Sequence, residues 1–208
     1  QVKHHLEHLT DYAIEWFRML KKKYGKDRER KTELRSFESI TRAEVAVANA
    51  KLYAQMEEGF VGIGMKRGEG DFIADCSDID DVIAIRKDGV MVVSKVSQKA
   101  FFGKDLIHVA VWKRGEDRTV YNCIYLDGTS GRSQVKRCNV PSITRDREYH
   151  ITKGTPKSRI LYFTANPNGE AETVSIVLRQ SPRLKKIKME LDFSEHAVRG
   201  RSAGGNLV

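Results

Sequence analysis

The sequence predicts a mainly β protein led by one helix, its strands forming a bladed, propeller-like repeat of about 40 residues, of which the chain holds part. Three observations carry this. Helical spacing of apolar residues is confined to the N-terminal segment. From about Ile40 onward, short β-branched runs alternate with turn residues. The turns also recur: Asn49, Gly89, Gly128 and Gly169 stand 40, 39 and 41 residues apart. A single hairpin cannot bury its own apolar face, so neighbours have to stack. A sandwich with evenly spaced hairpins is the alternative that the pattern leaves open.

Taking the elements in order, residues 4–24 read as an amphipathic helix, with Leu6, Leu9, Ala13, Trp16 or Phe17, Leu20 and Tyr24 at spacings of three and four. Lys21, Lys22 and Lys23 suit its negative C-terminal end, and Gly25 is a natural stop. Residues 26–39 are charged and poor in large apolar groups, as in a solvated connector. The expected division is a helical stalk end with its connector over 1–36 and a β domain over 37–208. The missing initial Met and the apolar ending Leu207-Val208 suggest a truncated piece of a longer chain.

Four hairpins are expected in the β domain. Val45-Ala46-Val47-Ala48 meets a turn at Asn49. Val82-Ile83-Ala84-Ile85 turns at Lys87-Asp88-Gly89 and returns as Val90-Met91-Val92-Val93. Cys123-Ile124-Tyr125-Leu126 turns at Asp127-Gly128. Ile160-Leu161-Tyr162-Phe163 turns at Asn166-Pro167-Asn168-Gly169 and returns over Thr173 to Leu178. Asp-Gly and Asn-Gly pairs between apolar runs are strong hairpin signals, because the primed turns need positive φ.

Composition excludes several classes. With 40% hydrophobic and 31% charged residues, the chain is too apolar for a disordered tail. Cys76, Cys123 and Cys138 are odd in number and lack a Cys-x-x-Cys pair, which argues against a disulfide framework or a zinc site and fits buried thiols in a cytoplasmic protein. No apolar run approaches the ~20 residues that span a bilayer. His4 and His8 lie one helical turn apart but outside a His-Glu-x-x-His frame, and Asp75, Asp78, Asp80 and Asp81 lack the alternation of a calcium loop. Gly62-Ile63-Gly64 lacks the third glycine of a dinucleotide fingerprint. No catalytic residue, metal site or cofactor is expected within this chain.

Charge is more informative. The net charge is +9 and it is unevenly spread: residues 86–159 carry 16 Lys and Arg against 7 Asp and Glu, whereas residues 37–85 carry 4 against 10. Stacked blades would bring loops and hairpin ends to a common perimeter. The candidate phosphate contacts there are Lys87, Lys95, Lys99 and Lys104, then Lys113 and Arg114. Arg132, Lys136 and Arg137 follow, with Arg145 and Arg147, Lys153 and Lys157, and finally Arg199 and Arg201. Such a surface grips the nucleic-acid backbone without reading bases. No stacking platform of the RNA-recognition type is apparent, and Phe101-Phe102 reads as a loop anchored to the core, so duplex binding is favoured over base stacking on single strands. A propeller-like protein-interaction module with incidental charge is the alternative.

Longer segments carry a resemblance. Phe72-Ile73-Ala74-Asp75-Cys76-Ser77-Asp78-Ile79-Asp80-Asp81, Gly103-Lys104-Asp105-Leu106-Ile107-His108-Val109-Ala110-Val111-Trp112, Ser142-Ile143-Thr144-Arg145-Asp146 and Tyr162-Phe163-Thr164-Ala165-Asn166-Pro167-Asn168-Gly169-Glu170-Ala171-Glu172 are similar to the A subunits of bacterial type IIA topoisomerases. Within that family the likeness is to topoisomerase IV and DNA gyrase, nearest the Bacteroides-type topoisomerase IV. Residues 199–208 resemble its Gly-Arg-x-x-x-Gly blade motif.

The resemblance implies a β-pinwheel C-terminal domain, with strands exchanged between neighbouring blades, that binds and bends duplex DNA and presents the transported segment for strand passage. It also implies two kinds of partner, another copy of the A subunit and the ATPase-bearing B subunit, with Mg²⁺ and ATP used elsewhere in the enzyme. Two departures matter. The Gln-Arg-Arg-Gly-Gly-Lys-Gly box of gyrase is absent. No tyrosine follows an arginine, as the family's cleaving tyrosine does, so this part is not expected to cut DNA.

Overall fold

The computed structural model describes residues 6–26, 49–179 and 187–208, and the chain divides into two compact units, Gln1–Thr41 and Arg42–Val208. The first unit holds helix α1, Leu9–Tyr24. None of its residues is buried, and Leu9, Trp16 and Phe17 of the apolar stripe are exposed. Gly25 stops it, donating its N–H to the Lys21 carbonyl at 2.8 Å, but at φ −81°, without the left-handed turn expected of a C-terminal glycine. The charged connector from residue 27 and the run Val45–Ala48 lie outside the described residues.

Among the described residues, the second unit holds four sheets. The first contains β1 (Ala50–Gln55), β2 (Phe60–Gly62), β3 (Asp71–Cys76) and β6 (Ala100–Phe101) in the order β3-β1-β2-β6. The second contains β4 (Asp81–Arg86), β5 (Val90–Lys95), β7 (Leu106–Trp112) and β10 (Tyr149–His150) in the order β10-β5-β4-β7. The third contains β8 (Val120–Leu126), β9 (Ser133–Asn139), β11 (Arg159–Asn166) and β14 (Val198–Gly200) in the order β11-β8-β9-β14, with β15 (Asn206–Leu207) also on β9. The fourth pairs β12 (Thr173–Val177) with β13 (Lys188–Asp192).

One rule generates the first three sheets. A hairpin forms, a longer strand pairs with the outer edge of its first strand, and a short strand returns to its second. The return strand of one sheet leads directly into the flanking strand of the next, β6 into β7 and β10 into β11, so neighbouring sheets exchange strands.

Three cores lie between the four sheets. Leu52, Ala54 and Val61 pack against Val82, Ala84 and Val109 between the first and second. Ile83, Ile85, Met91 and Val93 meet Tyr121, Cys123, Tyr125 and Cys138 between the second and third. Ile124 and Val135 meet Leu191 and Phe193 between the third and fourth. This explains why residues 82–85 are apolar without alternation: even positions face one core and odd positions the other.

The expected hairpins at Gly89 and at Asp127-Gly128 are present. The other two are corrected. Asn49 precedes β1, and the first hairpin turns instead at Gly59 (φ +83°). Residues 160–163 do not pair with residues 173–178. β11 returns to β8, and β12 opens the next sheet with β13. The first hairpin strands begin at residues 50, 81, 120 and 173, so the even period of about 40 does not hold. It came from two turns that join different sheets or none. The protein is mainly β with an N-terminal helix, and no sheet closes on itself among the described residues.

Candidate nucleic-acid interface

The hairpin tips are laced into a row by the crossover segments. After β6, the strap of residues 102–106 donates backbone hydrogen bonds to the first tip: Phe102 N to Gly59 O at 2.8 Å, Asp105 N to Glu57 O at 3.1 Å and Leu106 N to Met56 O at 2.8 Å. The same strap accepts from the second tip, Lys87 N to Asp105 O at 2.9 Å. After β10, residues 151–160 repeat the device on the second tip, with Ile151 N to Gly89 O at 2.9 Å and Ile160 N to Lys87 O at 2.7 Å. This second strap also holds the third tip. Gly128 N donates to Ser158 Oγ at 3.1 Å, and Asp127 accepts from Thr155 Oγ1. A Cβ on Gly128 would collide with the Pro156 carbonyl, so this glycine serves close approach, while the positive φ of the loop (+66°) falls at Gly131.

This lacing gathers some of the candidate cations and separates others. Lys87, Lys153, Lys157 and Arg132 are exposed around the second and third tips, joined by Arg159. Lys104 is exposed on the first strap. Lys153 also adjoins Gly204, and therefore the segment that carries Arg201. There the Arg201 guanidinium lies 4.2 Å from the centre of the Tyr149 ring and Arg147 lies 5.6 Å from it. Arg201 also donates to the Ser142 carbonyl at 3.4 Å. Hydrogen bonding to Thr144, with help from the two guanidiniums, pulls the Tyr149 phenol below the usual tyrosine range. Among the described residues, Lys87, Arg132, Arg147, Lys153, Lys157 and Arg159 form no ion pair.

Other candidates lie elsewhere. Arg145 is tied to Asp81 at 2.8 Å, and Lys95 lies opposite the same Asp81, at the ends of β4 and β5 away from their tip. Lys113 and Arg114 follow β7 at that far end, and Arg199 pairs with Cys138 near the far end of β9. Lys99 covers the Phe60 ring in the first sheet at 4.6 Å.

Lys136 and Arg137 require correction as perimeter residues, being only 2% and 9% exposed. Lys136 points into the core between the second and third sheets and donates to the carbonyls of Ile151 (2.7 Å) and Arg201. Burial pushes its ammonium below the usual lysine range. Arg137, on the opposite face of β9, donates to Asn122 Oδ1 at 3.0 Å, Gly169 O at 2.9 Å and His196 O at 3.3 Å. Both cations serve as internal ties because a buried charge must direct its donors to acceptors. Sequence reasoning missed this, and it also missed Tyr149 as the ring between two arginines, because Arg201 reaches it from 52 positions along the chain.

The acidic loop does not gather a metal site. Asp80 Oδ2 accepts from Ser77 N, Asp78 Oδ1 accepts from Ser77 Oγ and Asp81 pairs with Arg145. Among the described residues, no three His, Cys, Asp or Glu side chains converge as ligands. The described residues therefore do not fit the Mg²⁺ of the resembled enzymes. The three cysteines are free and buried.

Fold and site together define a β-repeat domain whose second and third hairpin tips carry exposed cations, the kind of groups that engage a polyanion backbone. The chain belongs to the family of topoisomerase C-terminal domains of the Bacteroidota, which it matches over residues 51–208. It is 25% identical over 160 residues to the A-type subunit of DNA topoisomerase 4 from Borreliella burgdorferi, an alignment taking in 76% of this chain and 25% of that protein. The chain thus spans about a quarter of the length of the relative it matches. Both findings support the C-terminal region of the A component of a type IIA topoisomerase, as the sequence resemblance implied.

Proposed function

We propose that this β domain is a pinwheel that binds duplex DNA along its laced hairpin tips and bends it, presenting the transported segment to a topoisomerase IV-type enzyme for ATP-dependent strand passage. The observation that carries the reading is the group of exposed cations without ion pairs among the described residues at the second and third tips, Lys87, Arg132, Lys153, Lys157 and Arg159, together with the Arg147–Tyr149–Arg201 cluster. Bending lets the duplex meet more of that surface, which offsets an elastic cost of roughly 1–6 kcal/mol. The partners in the intact enzyme, in the cytoplasm, are another copy of the A subunit and the ATPase-bearing B subunit. DNA cleavage, with its Mg²⁺ and ATP requirements, belongs to other parts of that enzyme, and this chain alone does not cut DNA. Among the described residues, no helix is long and apolar enough to cross a membrane.

Fluorescence anisotropy of a short duplex against this chain at rising salt tests the proposal. Affinity should fall with a log–log slope near −0.9 for each phosphate engaged. Absence of binding even at low salt would replace it with the protein-interaction reading. The apolar groove of about 650 Å³ between the third and fourth sheets, where Leu161 is 52% and Val177 70% exposed, would then become the place to look.

A further inference from the structure

We infer that the DNA path begins at the second hairpin tip, and that the first tip, built on the same backbone frame, repels DNA and marks the end of the footprint. This rests on the DNA-binding reading above and says where along the row that binding stops.

The two tips are laced in a similar way, although the first loop is one residue longer. Gly59 and Gly89 each give a carbonyl to the strap, at 2.8 Å from Phe102 N and 2.9 Å from Ile151 N. Met56 and Lys87 each accept from the residue that starts the flanking strand region, Leu106 and Ile160, at 2.8 and 2.7 Å. The residues around the two tips nevertheless differ in net charge. Residues 56–59 with 102–106 hold Glu57, Glu58 and Asp105 against Lys104 alone. Residues 86–89 with 151–160 hold Arg86, Lys87, Lys153, Lys157 and Arg159 against Asp88 alone. Asp88 is itself neutralised by Arg86 at 3.0 Å, which leaves Lys87 at the apex.

Glu57 and Glu58 are exposed and, among the described residues, have no cation partner. A duplex laid along the row would place its phosphates within a Debye length, ~8 Å at physiological salt, of two unscreened carboxylates. The fold therefore offers a similar perch at each tip, and only the second is net cationic.

Reversing the charge at the first tip is a mild change structurally, because the tip is held through its main chain and both side chains are exposed. The double variant Glu57→Lys, Glu58→Lys is compared with the wild-type chain by duplex anisotropy across a salt series, with circular dichroism as a check on folding. The variant should bind at least about tenfold more tightly at low salt, with the log–log slope steeper by about 2. In the wild type with duplex bound, Lys87, Lys153 and Lys157 should be protected from acetylation, while Lys51, Lys66 and Lys99 of the first sheet should react as in the free protein. Wild-type binding together with an unchanged slope in the variant, or protection of the first-sheet lysines, overturns the inference and leaves the DNA-binding reading standing. Failure of both proteins to bind at low salt removes the DNA-binding reading and this inference with it.

Discussion

Tyr149 carries two guanidiniums on its ring, one supplied from the same strand edge and one from the segment near residue 200. A cation stacked this way keeps its outward N–H groups free for phosphate while its stem is held in place. Arg201→Ala should weaken duplex binding and flatten the salt slope by about 1, and Tyr149→Phe should leave both nearly unchanged. Anisotropy of the two variants separates lost charge from lost shape. Lys157 stands in the left-handed region at φ +64°, which costs an L-residue about 1–2 kcal/mol. Lys157→Gly should therefore hold or raise the urea midpoint while lowering DNA affinity. A parallel loss of both would show that Lys157 is structural. Lys136 works from inside. Lys136→Met removes the donor to two carbonyls and should cost about 1–3 kcal/mol for each acceptor left without a partner, read as a lower urea midpoint. Charge reversal at Lys136 or Arg137 would report on folding rather than on DNA contact.

At the scale of elements, the straps set the geometry of the tips, and their sequences are short and strict in their demands. Gly128→Ala would drive a methyl group into the Pro156 carbonyl and push the third tip off the second strap. Thermal melting should then fall by several degrees, as a local clash of about 1–3 kcal/mol would produce. The same elements show where the sequence is legible. The runs 82–85 and 90–93 read as a hairpin because both strands are apolar on two faces and Gly89 needs positive φ. The hairpin at Gly59 is hidden because its second strand spans only Phe60–Gly62. Asn166–Gly169 does form a turn, with Gly169 at φ +74°, yet it joins β11 of one sheet to β12 of the next. Turn chemistry is local, but which strand receives the chain after a turn is decided by which edge is open.

For the molecule as a whole, stacking the second and third sheets packs His108 against Tyr121 and Phe163, at 5.6 and 5.4 Å between ring centres, with Nε2 shielded from solvent and, among the described residues, without a hydrogen-bond partner. Burial pushes this imidazole down to about 4. The unfolded chain takes up the proton near its ordinary value of about 6.5, so between there and about 4 acid favours the unfolded state. The stacked unit should lose up to about 3 kcal/mol over that window. His108→Phe should flatten the dependence in urea titrations at pH 7 and pH 4.5, and an unchanged dependence would assign it to another group. The Asp127 carboxyl, held down at about 2 by Ser130 and Thr155, contributes stability that is lost only below the ordinary carboxylate range, so the two effects separate.

Residue order alone fixes the class of this protein. Short apolar, β-rich runs broken by turn residues dictate strands, a single stretch of helical spacing dictates one helix, and a band of cations points to a polyanion partner, because each depends only on residue type and near neighbours. Which of those cations face solvent is settled only once the sheets stack. Lys136 and Arg132 lie four residues apart on one hairpin, yet one is sealed in a core and the other is exposed. Stacking also brings Arg201 onto Tyr149 and laces the acidic first tip in much the same way as the cationic second. Those facts depend on strands exchanged between sheets, and the edge that a strand finds is set by the packing of the whole stack.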